Sequence, residues 1–264
     1  MPENSIKQFW NDQAGAFKES DLATAPDHYY RDMEIERILS HLKDGMSILD
    51  VGCGNGYSTL RFARALPASK IVGIDYSEPM IEHATAALAK SEFGGRVEFS
   101  VANVLSLISD PAIGNKKFDF IVSERCLINL RDWQEQRAAI LQMKALLSPN
   151  GRIILTENMQ EGLAKLNGLR ESLGLPPILV RWHNYYMPQK TLEEFLPEHF
   201  LVDNVENIGN LYYIISRVVY AKLADLEGKQ PEYQHPINRI AAQLPSLSDC
   251  DYSPNYIYVL RSKA

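Results

Sequence analysis

Short apolar runs alternate with longer segments of helical spacing through the first part of this chain. Residues 47–51, 70–75, 96–101, 118–122 and 152–156 are brief and rich in β-branched side chains. Helical segments separate most of them. That alternation predicts a parallel sheet buried on both faces, with helices packed against it. Ahead of the first run, Arg31 to Lys43 places Ile35, Ile38, Leu39 and Leu42 on one stripe of an amphipathic helix. Asp132 with Glu135 predicts the capped start of a helix ending near Leu147, and Ser148-Pro149-Asn150-Gly151 reads as a turn.

Beyond Glu157 the pattern changes. A helix is predicted from about Glu161 to Leu173, stopped by Gly174 and Pro176-Pro177, and Trp182 to Pro188 reads as a loop. A helix at 190–197 and strands at 200–206 and 256–261 then complete a sheet of seven strands. Residues 207–253 interrupt the hairpin expected between the last two strands. This insertion carries Tyr212, Tyr213, Arg217, Tyr220, His235 and Pro236. An insertion of that length is usually functional or oligomeric.

The chemistry concentrates at Asp50-Val51-Gly52-Cys53-Gly54-Asn55-Gly56, between an apolar strand and a helix start. Glycines permit positive φ and let a ligand lie against bare backbone. Free N–H groups at the helix start are expected to favour an anionic group. Dinucleotide sites read G-x-G-x-x-G, with the ribose acid about 20 residues on. Here the turn reads G-x-G-x-G, and Asp50 precedes it at the strand end. A carboxylate there would repel a pyrophosphate and accept hydrogen bonds from an ammonium group. Asp75, ending the run Ile71-Val72-Gly73-Ile74, can accept both hydroxyls of a ribose. An amino-acid head joined to a nucleoside tail describes S-adenosylmethionine.

At these residues the sequence resembles the class I S-adenosylmethionine-dependent methyltransferases. The resemblance continues through Gly73 to Ile81, Val97 to Val104, Phe118 to Ser123 and Leu146 to Leu155, covering about residues 8 to 158. It implies a Rossmann-like α/β fold, with a seven-stranded, mostly parallel sheet and helices on both faces. An N-terminal helical cap (1–45), a cofactor-binding core (46–158) and acceptor-side elements (159–264) would make one domain. The cofactor set it implies is Asp50, Gly52, Cys53, Gly54, Asn55, Gly56, Asp75, Tyr76, Met80, Asn103, Val104 and Ser123. Asn103 departs from the family, which usually has an acid there to meet the adenine amino group. An amide oxygen can still accept that bond. A fainter resemblance, at Ser123 to Leu130, Trp182-His183-Asn184 and His235 to Asn238, is to methyltransferases of sugar or capsular polysaccharide pathways. It implies O-methylation of a sugar, sugar nucleotide or phosphorylated metabolite.

Composition narrows the partners. The net charge of −6 disfavours global attachment to nucleic acid or an anionic membrane. The run Leu211 to Leu223 is too short for a membrane span and contains Arg217. Met1 to Ser5 lacks the charged and apolar regions of a signal peptide. Cys53, Cys126 and Cys250 have no metal-ligand spacing and cannot all pair. A reduced cytoplasmic enzyme without metal, monomeric or homodimeric and acting on a small molecule, is the expectation. A small-molecule N-methyltransferase, an RNA-modifying methyltransferase and a non-catalytic cofactor-binding protein are the rival readings.

For a hydroxyl acceptor a general base is favoured. His183, in a polar and aromatic loop, is the first candidate, against a packing or surface histidine. His235 is second, and Glu124, after the strand ending at Ser123, is third. Arg125, Tyr29, Tyr30 and Arg217 are the acceptor-binding candidates, with local ion pairs and core packing as the plainer readings. Trp10 reads as packing of a terminal helix.

Overall fold

The computed structural model describes residues 3–263, so Met1, Pro2 and Ala264 of the expected single domain lie outside the described residues. Seven strands form one sheet: β1 (Ser47–Val51), β2 (Lys70–Asp75), β3 (Val97–Val101), β4 (Phe118–Glu124), β5 (Leu147–Asn158), β6 (Phe200–Asn207) and β7 (Asn255–Ser262). Their order across the sheet is β3-β2-β1-β4-β5-β7-β6. Strands β1 to β5 run parallel, and β7 is antiparallel to both β5 and β6. Successive side chains point to opposite faces of a strand. Leu49, Val51, Ile121, Ile153 and Leu155 therefore enter one core, and Ile48, Phe120, Val122 and Ile154 the other. Burial on both sides is the physical reason these strands read as unbroken apolar runs.

Helices α3 (Tyr57–Ala65), α4 (Glu78–Ala89), α5 (Trp133–Ala145), α6 (Gln160–Ser172) and α7 (Gln189–His199) connect the strands. Asp132 caps α5 by accepting from the Glu135 N–H at 3.0 Å, as its spacing predicts. One expectation fails at Ser148-Pro149-Asn150-Gly151. These residues belong to an early, irregular part of β5, where Asn150 takes φ 65° and the register with β4 shifts. The polar turn chemistry is absorbed as a strand irregularity.

Two regions outside this framework build the site. At the N-terminus, α1 (Glu3–Phe17) and α2 (His28–Leu39) pack over the carboxyl ends of the strands. Asp27 caps α2, so that helix begins earlier and ends earlier than its apolar stripe predicts. Between β6 and β7 the insertion is helical, with α8 (Asn210–Tyr213), a π-helical segment (Ile214–Val219), α9 (Tyr220–Leu226) and α10 (Pro236–Ala241). Among the described residues no helix is long and apolar enough to cross a membrane.

Candidate active site

A cavity of about 320 Å³ opens at the carboxyl ends of β1, β2 and β4, the edge where parallel α/β sheets bind ligands. Its size is that of a small-molecule cleft. The glycine turn forms one wall. Gly52 has φ +74°, and a Cβ there would lie 2.4 Å from Cys126 Sγ, so both backbone conformation and space demand glycine.

Four amides of this turn are held within the fold. Gly52 and Cys53 N–H both donate to the Ile74 carbonyl, at 2.8 and 2.9 Å. Gly54 N–H donates to Asp75 Oδ2 at 3.0 Å, and Gly56 N–H to the Cys53 carbonyl at 3.0 Å. The turn is stitched to β2 and to itself. Beside it, Asp50 and Asp75 bring carboxyls to the cavity.

Asp50 is buried and accepts the Thr59 hydroxyl at Oδ2, 2.5 Å away. Burial pushes its carboxyl up to about 7, against the lowering effect of Thr59. Asp75 accepts Ser77 N–H at Oδ1, 2.9 Å away, besides Gly54 N–H at Oδ2. Burial raises it to about 6, against those two N–H bonds. When ionised, both are pure acceptors, suited to a ligand bringing an ammonium group and ribose hydroxyls. Cys53, Tyr76, Met80, Asn103 and Val104 complete this half of the cavity. The Asn103 oxygen caps the following turn by accepting Leu105 N–H at 2.9 Å, leaving one lone pair for another donor.

Several expected cofactor residues stand behind the wall. Gly54, Asn55, Gly56 and Ser123 do not line the cavity. Asn55 Nδ2 donates to the Lys18 and Ser20 carbonyls at 2.9 and 2.8 Å, anchoring the segment after α1. Ser123 Oγ donates to the buried Glu157 at 2.7 Å. Glu157 also accepts Leu127 and Ile128 N–H, at 2.9 and 3.2 Å, and fixes the turn that presents Asn129. Asn129 Oδ1 in turn accepts from Trp10 Nε1 at 3.1 Å, so Trp10 reaches the cavity rather than only packing.

The base candidates separate sharply. His235 is exposed, caps α10 through Nδ1, stacks on Tyr220 at 4.3 Å, and is not brought to the cavity. The local Pro236 helix start takes up its side chain. His183 does line the cavity, stacked on Phe9 at 4.1 Å with Trp10 and Trp182 around it. Its Nδ1 is buried without a hydrogen-bond partner among the described residues. Burial, then Arg181, push its imidazole down to about 4. A ring so tuned is neutral at pH 7 and a poor proton acceptor. Glu124 reaches the cavity from the end of β4.

Of the acceptor-side candidates, Tyr30, Arg125 and Arg217 line the cavity. Tyr29 instead packs edge-on to His28 with ring centroids 4.3 Å apart. Arg125, with φ 52°, occupies a conformation rare for a non-glycine residue. Its Nε lies 3.0 Å from Glu34 and its Nη2 3.6 Å from Glu124. Arg217 pairs with Asp27 and lies over the Tyr233 ring, 4.8 Å from its centre. The local ion pairs are therefore present, inside the cavity wall. Arg181, like Arg217 a candidate from the sequence for binding an anionic group, lines this half too, as do Arg31, Tyr186 and Tyr213, whose roles the sequence did not single out.

A methyltransferase-domain family model matches residues 42–214. The O-methyltransferase resE of Aspergillus sclerotiorum is 26% identical over 215 residues, covering 79% of this chain and 74% of that protein. The O-methyltransferase cnsE of Penicillium expansum is 30% identical over 113 residues, covering 43% of this chain and 38% of that protein. Matches to three of the curated relatives span between 38% and 48% of those proteins. Magnesium protoporphyrin IX methyltransferase from Synechocystis, solved with bound S-adenosylhomocysteine, has a TM-score of 0.59 at 15% identity, covering 97% and 94% of the two chains. At that identity the likeness concerns the fold. Together the strand order, the paired strand-end acids and the match across 42–214 place this chain in the S-adenosylmethionine-dependent methyltransferase family.

Proposed function

We propose that the protein methylates an oxygen of a small, hydroxylated metabolite, using S-adenosylmethionine. One observation carries the reading: a single cavity joins the acceptor-only pair Asp50 and Asp75 to Glu124 at the end of β4. When bound, the cofactor supplies a sulfonium methyl that an acceptor oxygen takes with its own electron pair, the former S–C pair staying on sulfur. Asp50 and Asp75 would hold its ammonium and ribose groups, and Tyr76, Met80, Asn103 and Val104 would take the nucleoside. Glu124 receives the acceptor's hydroxyl proton. Trp10 and His183 close the cavity beneath α1 and exclude water, so proximity and orientation account for most of the rate.

A carboxylate base suits oxygen better than a neutral amine, which needs no deprotonation to attack. The names of the two fungal relatives, both O-methyltransferases, support the same choice. Arg31, Arg181 and Arg217 in the acceptor half suit a substrate carrying an anionic group. Sugars, sugar nucleotides and related phosphorylated metabolites fit that description.

The test is release of S-adenosylhomocysteine against a panel of sugar nucleotides, phosphorylated metabolites, small amines and RNA. Turnover on a hydroxyl of an anionic metabolite is the expected result. Turnover on amines or RNA alone would overturn the choice of acceptor.

A further inference from the structure

Arg31, Arg125, Arg131, Arg181 and Arg217 all line the cavity, so each could in principle meet an anionic acceptor. Most are already committed. Arg217 pairs with Asp27, which also accepts Tyr30 N–H at 3.2 Å and the Tyr212 hydroxyl at 2.7 Å. Arg131 pairs with Glu135, whose Oε2 accepts the Arg131 backbone N–H at 2.9 Å. Arg125 lies 3.0 Å from Glu34 and 3.6 Å from Glu124, and Glu34 is fixed in turn by Asn255 Nδ2 at 2.7 Å. Arg31 is buried, with its guanidinium 4.7 Å from the centre of the Tyr57 ring and the Glu124 charge helping to keep it protonated. An anion brought to Arg125, Arg131 or Arg217 would have to displace an anchored carboxylate or sit beside it. Either is costly where little water screens the charges.

Arg181 differs. It is exposed at the rim of the cavity and forms no ion pair among the described residues. Its backbone is nevertheless well held. Asn167 on α6 exchanges two hydrogen bonds with Ile178, donating to its carbonyl at 3.0 Å and accepting its N–H at 2.8 Å. The Arg181 carbonyl accepts Asn184 N–H at 2.9 Å, and Gln136 on α5 donates to the Tyr185 carbonyl at 2.8 Å. The loop is thus clamped to two helices, while the guanidinium keeps its five donors for a ligand. Beside it, His183 is neutral at pH 7 and brings no competing charge.

We propose that Arg181 selects an anionic acceptor, binding its carboxylate or phosphate at the mouth while the neutral, hydroxylated part reaches Glu124. The substrate class is then a hydroxylated metabolite whose anionic group lies at the end away from the methylated oxygen. The role in turnover rests on the oxygen-acceptor reading. The anion site does not.

Carbon-13 spectra of protein labelled at arginine Cζ, recorded on the S-adenosylhomocysteine complex during titration with inorganic phosphate, test the site without turnover. The Arg181 signal, identified by its loss in Arg181→Gln, should shift to saturation, and those of Arg125, Arg131 and Arg217 should hold. An Arg181 signal that does not saturate, or a larger shift at Arg125 or Arg217, overturns the proposal. On an active hydroxyl acceptor that carries an anionic group, Arg181→Gln should raise KM by about tenfold or more and leave kcat within a few-fold. Arg181→Lys should restore part of that loss, and the acceptor's neutral analogue should not distinguish Arg181→Gln from wild type. An equal rise in KM for both acceptors would make Arg181 an ordinary part of the wall and also overturn it. Turnover on amines or RNA alone removes the oxygen reading and leaves the phosphate titration to decide the anion site.

Discussion

The two halves of the cavity are made in different ways. The cofactor half uses two strand ends and the turn between Asp50 and Tyr57, with Asp75 on the adjacent strand. The acceptor half brings together α2, the end of β4, the loop at 182–186 and the insertion. Asp27 shows how far this assembly reaches: it caps α2, accepts the Tyr212 hydroxyl at 2.7 Å and pairs with Arg217. In the proposed reading, local geometry therefore makes the part that recognises a shared cofactor, and long-range packing makes the part that distinguishes an acceptor.

The largest effect should come from Gly52→Ala. Its Cβ would enter the Cys126 side chain while the backbone stays left-handed. Overpacking and the left-handed conformation together predict a loss of about 2–5 kcal/mol, seen as a lower denaturation midpoint and lost S-adenosylhomocysteine binding. Wild-type stability in this variant would show that the turn is less constrained than its packing indicates.

Next in size is Glu124→Gln. Turnover should fall by about a hundredfold or more, with S-adenosylhomocysteine affinity retained, because only proton transfer is removed. His183→Phe should keep turnover within a few-fold. The reverse ranking would return the base role to His183.

Asp50→Ala or Asp75→Ala should each weaken S-adenosylhomocysteine binding by more than about tenfold, or 1.4 kcal/mol. Calorimetry should also show a pH dependence. The ligand's donors require the ionised acids, whose carboxyls are raised to about 7 and about 6. Affinity should therefore rise with pH through that window, with protons released on binding. Unchanged affinity from pH 5 to 8 would separate these acids from the ligand.

The smallest effect concerns stability in acid. Folding lowers His183 to about 4, so below its unfolded value of about 6.5 the unfolded chain binds more protons than the folded one. The contribution of this site is present above pH 6.5 and is lost as pH falls toward 4. Thermal melts of His183→Phe should show a weaker decline than wild type across that interval. Parallel curves would assign the acid sensitivity elsewhere.

The strand pattern was legible because burial on both faces demands continuous apolar runs. The paired acids were legible because each ends such a run. Asn55 and Ser123 were harder: both sit in the right motif, yet their polar atoms satisfy neighbouring backbone or Glu157. Glu34 carried a signal that went unused. Arg31 and Glu34 lie on the helical stripe continued by Ile35 and Ile38, where charge implies a buried partner. That partner, Arg125, follows the end of β4, and periodicity does not reach across such a distance.

The chain by itself determined the sheet, the glycine turn and the two acids of the cofactor half, since period, turn chemistry and strand ends are local properties. Tertiary structure decided the rest. It placed His235 on an outer helix and neutralised His183 under α1. It also folded the insertion onto Asp27 and brought Glu34 to Arg125. Those outcomes depend on burial and on contacts between distant segments, which set both the reach of a side chain and its charge.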